Sequence, residues 1–172
     1  TSDITVTAAQ GQQKVIYKTK PILSNVPASY TLSAGNNVPV FKFRIAADAA
    51  GEIEWRKVQF YVTMSGATMS APTTSNTTLR SITSGTSLTL STIYSGLAVA
   101  SNTAVAITGG NSGYLTLEVS TPERVSAGTS KDYEVQLPFA NLVTSPGANI
   151  SINLNRSEST LNNGSWYAGI SG

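Results

Sequence analysis

The chain has 172 residues, 11 Lys plus Arg against 9 Asp plus Glu, and neither His nor Cys. That is the length of one domain able to bury a core without disulfides, and the two absences exclude thiolate and imidazole metal sites, Cys nucleophiles and Ser-His-Asp chemistry. Charged side chains make up 12% of the chain, about half the ~25% of an average soluble domain, so its 23 Ser and 22 Thr carry the solubility and a net charge of +2 forms no basic stripe for nucleic acid.

No apolar run approaches the ~20 residues that span a bilayer, so membrane insertion is not expected. Thr1 and Ser2 open directly onto a polar segment, which reads as a chain whose leader has been removed or as a piece of a longer one. Strand signals recur along the whole length, and no window of a dozen residues holds apolar groups at helical spacing. The first element is the short alternating segment Ile4, Val6 and Ala8, separated by Gln10-Gly11-Gln12-Gln13 from a second strand over 14–20 that closes at Pro21. Lys14, Lys18 and Lys20 share one face of that second strand, as suits a solvent face or a guarded sheet edge.

Phe41, Phe43 and Ile45 alternate with Lys42 and Arg44, the clearest half-buried strand in the sequence. After a turn at Ala49-Ala50-Gly51, the apolar positions are odd at Ile53 and Trp55 and even at Val58, Phe60, Val62 and Met64. Both sets can face inward only if the pairing slips, which predicts a β-bulge near Arg56-Lys57. From Val58 to Leu117 the one charged side chain is Arg80. The run Gly109-Gly110-Asn111-Ser112-Gly113 then reads as the loop of a hairpin joining 103–108 to 114–120. Three further inward faces follow, Leu115/Leu117/Val119, Tyr133/Val135/Leu137 and Ile150/Ile152/Leu154, and beyond Ser157 the alternation is lost.

A weak internal echo links Ser33-Ala34-Gly35, leading into Phe41 to Ile45, with Ser126-Ala127-Gly128, leading into Tyr133 to Leu137, as though one unit were used twice. The pattern predicts an all-β protein, an Ig-like two-sheet sandwich of about nine or ten strands, with a jelly roll as the alternative. Its expected divisions are an N-terminal arm and spacer over 1–13, the sandwich over 14–156, and a Gly/Asn-rich tail or terminal hairpin over 157–172.

Three stretches resemble a known kind of module: Val15-Ile16-Tyr17-Lys18-Thr19-Lys20-Pro21, then Val40-Phe41-Lys42-Phe43-Arg44-Ile45-Ala46-Ala47-Asp48-Ala49-Ala50-Gly51-Glu52-Ile53, and Ala127-Gly128-Thr129-Ser130-Lys131-Asp132-Tyr133-Glu134-Val135. They look like the Ig-like repeat modules of large extracellular surface proteins, S-layer or adhesin-like, of candidate phyla radiation bacteria. The resemblance runs over most of 14–170 and marks strands and turns. It implies an extracellular, cell-surface location and a structural or adhesive role, and it brings no catalytic residues. Modules of that kind usually continue past the equivalent of Trp166, which leaves open a truncated module or a free-standing subunit.

Paired carboxylates are the remaining catalytic possibility. Glu52/Glu54 and Asp132/Glu134 sit at i, i+2 with apolar residues between them, which reads as acids on a solvated strand face and predicts no enzyme. Asp48 and Glu52 flank a turn and are the weak calcium candidates, although no Asp-x-Asp-x-Asp-Gly ladder accompanies them; no cofactor is expected. Four Asn-x-Ser/Thr triplets, about the number expected by chance, leave glycosylation open. Trp166 and Tyr167, with Trp55, Tyr30, Tyr61 and Tyr94, read as rings able to stack on sugars; Trp55 reads rather as core, and Trp166-Tyr167 rather as docking aromatics for a neighbouring module.

Two functional classes are therefore expected to compete. One is a non-catalytic structural module of a surface layer, adhesin or fibre, whose partners are like subunits or neighbouring modules and whose assembly strand is Ile4, Val6 and Ala8. The other is a carbohydrate-binding β-sandwich whose partner is a surface polysaccharide.

Overall fold

The computed structural model describes residues 21–96, 106–107, 112–143, 147–154 and 168–169. These form two antiparallel sheets packed face to face, with no helix among the described residues. The sandwich read from the alternation is what the chain builds, with eleven strands among the described residues: β1 (Pro21–Val26), β2 (Gly35–Ala47), β3 (Ile53–Ser65), β4 (Thr68–Met69), β5 (Thr78–Ser81), β6 (Thr86–Leu88), β7 (Leu90–Gly96), β8 (Ser112–Val125), β9 (Ser130–Ala140), β10 (Asn149–Leu154) and β11 (Ala168–Gly169). Sheet A runs β1-β2-β9-β5-β6 with β4 also on β9, and sheet B runs β10-β3-β8-β7 with β11 also on β3.

The core follows the parity of the sequence. Phe43, Ile45, Phe60, Val62, Leu115, Leu117, Val119, Tyr133, Val135 and Leu137 are all buried, while Phe41 is half-buried and packs against them. Five rings lock the layers together: Phe43 lies 5.3 Å from Tyr133 within sheet A and 5.4 Å from Phe60 across the interface, and Trp55 meets Tyr133 edge-on at 5.1 Å. Phe41 completes the group 5.7 Å from Phe60. Offset and edge-to-face contacts of this kind add about 0.5–1.5 kcal/mol per pair beyond the area they bury.

The parity flip in β3 is resolved as predicted, by a slip in the β3–β8 pairing between Trp55 and Lys57. Trp55 faces Glu123 and Lys57 faces Glu118, so Arg56 on β3 is set against 119–122 on β8. Much of the extra length therefore lies on β8, where Pro122 has no N–H to give to a ladder. Below the slip, the turns at 48–51 and 126–129 close one end of the sandwich and hold each other: Ala47 N–H donates to the Thr129 carbonyl at 2.9 Å and Gly128 N–H to the Asp48 carbonyl at 3.1 Å. Gly128 supplies the positive φ (67°) that a type II turn requires at its third position.

One expectation is corrected and two are placed. The segments of the internal echo, leading into Phe41 and Tyr133, are β2 and β9, cross-strand neighbours with Phe43 opposite Tyr133. The hairpin across 109–113 is not what forms: of the two described residues before the loop, Ile107 bridges Met69 of β4, whereas β8 pairs with β3 and β7. Alternation marks a buried face without naming the partner strand. Within the stretch expected as a tail or terminal hairpin, Ala168 and Gly169 pair with Trp55 and Glu54 of sheet B.

That last pairing fixes the polarity of the fold. Pro21 enters sheet A opposite Ala47, and β11 runs antiparallel to β3 toward its first residue, so both lie at the end closed by the two turns. They also share a side, because β1 lies against β10 where the edges of the two sheets meet.

Candidate functional site

The two outer faces of the sandwich carry its accessible chemistry. On sheet A, Lys42 of β2 and Arg80 of β5 stand opposite Glu134 of β9, and Arg44 stands opposite Asp132 one row away. Arg44 grips Asp132 through Nε at 2.6 Å and Nη2 at 2.9 Å. This bidentate geometry holds the Asp132 carboxyl below its usual range.

Glu134 corrects the reading of strand acids on a solvated face, for its residue exposure is 9%. The sequence between β1 and β2 folds over it: Tyr30 donates its hydroxyl to Oε2 at 3.0 Å, Gln136 donates Nε2–H to Oε1 at 2.8 Å, and Lys42 Nζ lies 3.8 Å from Oε2. Lys42 Nζ is also 5.9 Å from the centre of the Tyr30 ring. Burial first, and the carboxylate acceptor second, push the Tyr30 phenol upward. An acid whose two oxygens already accept from a phenol and an amide beside an ammonium is engaged within the fold, which is a structural disposition.

The remaining described acids are committed similarly. Glu52 and Glu54 lie 3.9 and 3.4 Å from Arg124, and Glu118 lies 3.2 Å from Arg56 and 3.8 Å from Lys57. Glu123 accepts from Lys131 Nζ at 2.6 Å and from the Tyr133 hydroxyl at 3.3 Å, while Trp55 Nε1–H donates to that hydroxyl at 3.3 Å. Burial raises the Tyr133 phenol, partly offset by the Trp55 donor. Thus a polar chain runs out of the aromatic core to the charged end of the sandwich.

Of the calcium candidates, Asp48 is part of the turn, accepting Ala50 N–H on Oδ1 at 2.8 Å, and Glu52 faces Arg124. Among the described residues no three acids converge on a point where a metal ion would sit. The assembly strand Ile4, Val6 and Ala8 and the docking pair Trp166 and Tyr167 lie outside the described residues. Asn76, one of the four triplet asparagines, spends its side chain on the loop it belongs to, accepting from Thr73 N–H at 2.7 Å and donating to the Ala71 carbonyl at 3.2 Å.

The outer face of sheet B is different in kind. A row crosses all four long strands, Asn153 of β10, Tyr61 of β3, Tyr114 of β8 and Gly96 of β7, each opposite the next. The Tyr61 and Tyr114 rings are 5.2 Å apart and inclined by 58°, and Tyr61 is 38% exposed. Beside this row Ser151, Thr63 and Ser112 form a second one, and on its other flank Gln59 donates to Thr116 at 2.9 Å. Sequence reasoning singled out Tyr61 but missed Tyr114, because only the β3–β8 register brings them together. Comparison with protein-family models, with curated proteins and with solved structures yields no match for this chain.

Proposed function

We propose that the protein is a non-catalytic structural module of a bacterial cell surface, part of a layer, adhesin or fibre, that joins to its neighbours through its N-terminal strand. The observation that carries this reading is where the chain enters the fold. β1 is the last described strand of sheet A, with no described strand on its outer side, and the residues preceding it lead to Pro21 at one corner of the sandwich. A segment upstream of that corner can lie along the edge of another copy without disturbing the aromatic core. Main-chain hydrogen bonds then supply affinity, and Ile4, Val6 and Ala8 supply register.

Three things support the reading further. The resemblance to surface-protein modules embraces the two turns that interlock at 48–51 and 126–129. The acids that would have to perform catalysis are tied to cations or donors. A contact made by an arm on one copy and an edge on the next does not close on itself, so it yields filaments or strings. The test is deletion of residues 1–9, followed by negative-stain microscopy and thermal unfolding. A folded protein that no longer polymerises is expected; polymers that form unchanged, or a chain that no longer folds, would reject the proposal.

A further inference from the structure

Three uncharged stretches of sequence, 21–41, 58–117 apart from Arg80, and 135–155, come together in the fold. Val38 faces Leu137 in sheet A, and Leu154, Phe60 and Leu115 lie side by side in sheet B. Among the described residues, the half of the sandwich away from the turns at 48–51 and 126–129 therefore carries no charged side chain. The other half holds the ion pairs of Arg44, Arg56, Lys57, Arg124 and Lys131. The chain enters and β11 runs out at the charged end. A molecule tethered there presents its neutral half outward.

That half includes the tyrosine row on the outer face of sheet B. Tyr61 is exposed beside Tyr114, exposed Asn153, Thr63 and Ser151 surround it, and Gly96 leaves the far side of Tyr114 without a side chain. We infer that this row, centred on Tyr61 and Tyr114, binds an uncharged polysaccharide. A pyranose ring offers an apolar C–H face to an aromatic ring and a rim of hydroxyls to amide and hydroxyl side chains, and both kinds of partner stand here in two adjoining rows of one face. Charge selects the ligand further. Among the described residues the nearest cations on this face, Arg56 and Lys57, are paired with Glu118 two residues beyond Gln59 and Thr116 on their strands, so no described counter-charge meets an anionic glycan at the tyrosines. A second copy of the chain is the poorer fit, because the core of a protein interface is depleted in Ser and enriched in Met, Arg and aromatic groups, whereas the flanks here are Ser, Thr and Asn.

This site goes beyond the structural role and stands apart from the N-terminal strand. The full chain is run in acidic native gels containing hydroxyethylcellulose, dextran, mannan or polygalacturonate. Retardation by at least one of the three neutral polymers is expected, unchanged in 1 M salt, and weakened about tenfold or more, the equivalent of 1.4 kcal/mol, in Tyr61→Ala. Asn153→Ala, at an exposed edge position, is expected to weaken it less while leaving the unfolding temperature unchanged, which separates a binding defect from a folding defect. Deleting residues 1–9 is expected to leave retardation intact, so failure of the assembly proposal and failure of this one are distinguishable. No retardation by any neutral polymer, retardation by polygalacturonate alone, equal retardation of the wild type and a Tyr61→Ala/Tyr114→Ala double variant, or loss of self-association instead of polymer binding in that variant would each overturn the inference.

Discussion

The outer faces of the two sheets share one core and solve the same problem differently. Sheet A meets water with charges that neutralise one another in cross-strand rows, Lys42 and Arg80 about Glu134 and Arg44 on Asp132, under the cover of Tyr30. Sheet B, in the half away from the chain entry, meets water with Tyr61, Tyr114, Thr63, Ser151 and Asn153, none of them ionised. A self-neutralised charged surface has its hydrogen-bonding capacity engaged internally and is a poor binding surface. The uncharged hydroxyl, amide and ring groups of sheet B form no ion pairs, and the proposal that this face makes contacts rests on that contrast.

The largest effect tests what the faces have in common. Phe43 is fully buried between them, against Tyr133 and Phe60. Phe43→Ala is expected to cost about 3–5 kcal/mol through lost burial and the cavity left behind, read as a fall in the denaturant midpoint. Its chain neighbour Lys42, on the outer face and partly exposed, is expected to cost about 0–1 kcal/mol when changed to Ala. Equal effects at the two positions would mean that the faces of β2 are assigned the wrong way round.

The next largest falls beneath the neutral face. Gly113, opposite Val62, has room for a hydrogen only, since a Cβ there would come 2.7 Å from Ile107 Cδ1 and 2.8 Å from the Gly96 carbonyl oxygen. The Ile107 side chain can turn aside, but the Gly96 backbone cannot move without pulling β7 from β8. Gly113→Ala is therefore expected to cost about 1–3 kcal/mol as an overpacked site and to shift the environment of Tyr114, its chain neighbour. Near-ultraviolet circular dichroism together with thermal unfolding checks it, and a variant as stable as the wild type would show that β7 and β8 are not packed this closely.

How far these features were legible in the sequence depends on how local they are. The inward face of β2, the slip near Arg56 and the two-layer architecture follow from the alternation of side chains along a single strand, which sequence displays directly. Glu134 has the same local pattern as a solvated acid; it is buried because Tyr30 reaches it from more than a hundred positions away, and Lys42 from the neighbouring strand. The tyrosine row is of the same kind, requiring the register that sets 61 against 114 and both against 153 and 96. Parity finds faces. Register finds sites, and a hairpin guessed from a glycine loop, as at 109–113, supplies the wrong register when the residue before the loop bridges another strand, as Ile107 bridges Met69.

A smaller effect isolates the cover on the charged face. Tyr30→Phe keeps the ring against Lys42 but removes the donor to Glu134. The carboxylate retains Gln136 and Lys42, so the loss is that of one partly exposed hydrogen bond to a charged acceptor, about 1–1.5 kcal/mol at the low end of the range for such bonds. Hydrogen exchange of the β2 and β9 amides is expected to quicken, while polymer retardation by the sheet B face stays unchanged. If retardation fell as well, the two faces would not be independent.

The smallest effect uses pH to tell the faces apart. Arg44 donates two hydrogen bonds to Asp132 and holds its carboxyl below the usual range, so the folded value lies beneath the unfolded one of about 3.9. A group depressed on folding contributes stability that is fully present above the unfolded value and is lost as the pH falls through the folded one. The side chains of the pair are 48% and 25% exposed, so solvent screens the contribution and it is expected to stay under about 1 kcal/mol. Arg44→Met removes it. The gap in unfolding free energy between the wild type and Arg44→Met is therefore expected to be constant from neutral pH down to about pH 5 and to close as the pH falls below about 4. The gap between the wild type and Tyr61→Ala, whose row neighbours Asn153, Tyr114 and Gly96 include no carboxylate, is expected to stay level across the same range. If the Arg44→Met gap persisted at low pH, the contribution of Arg44 would be packing of its aliphatic stem across sheet A, and the charged face would owe its stability to coverage rather than to charge.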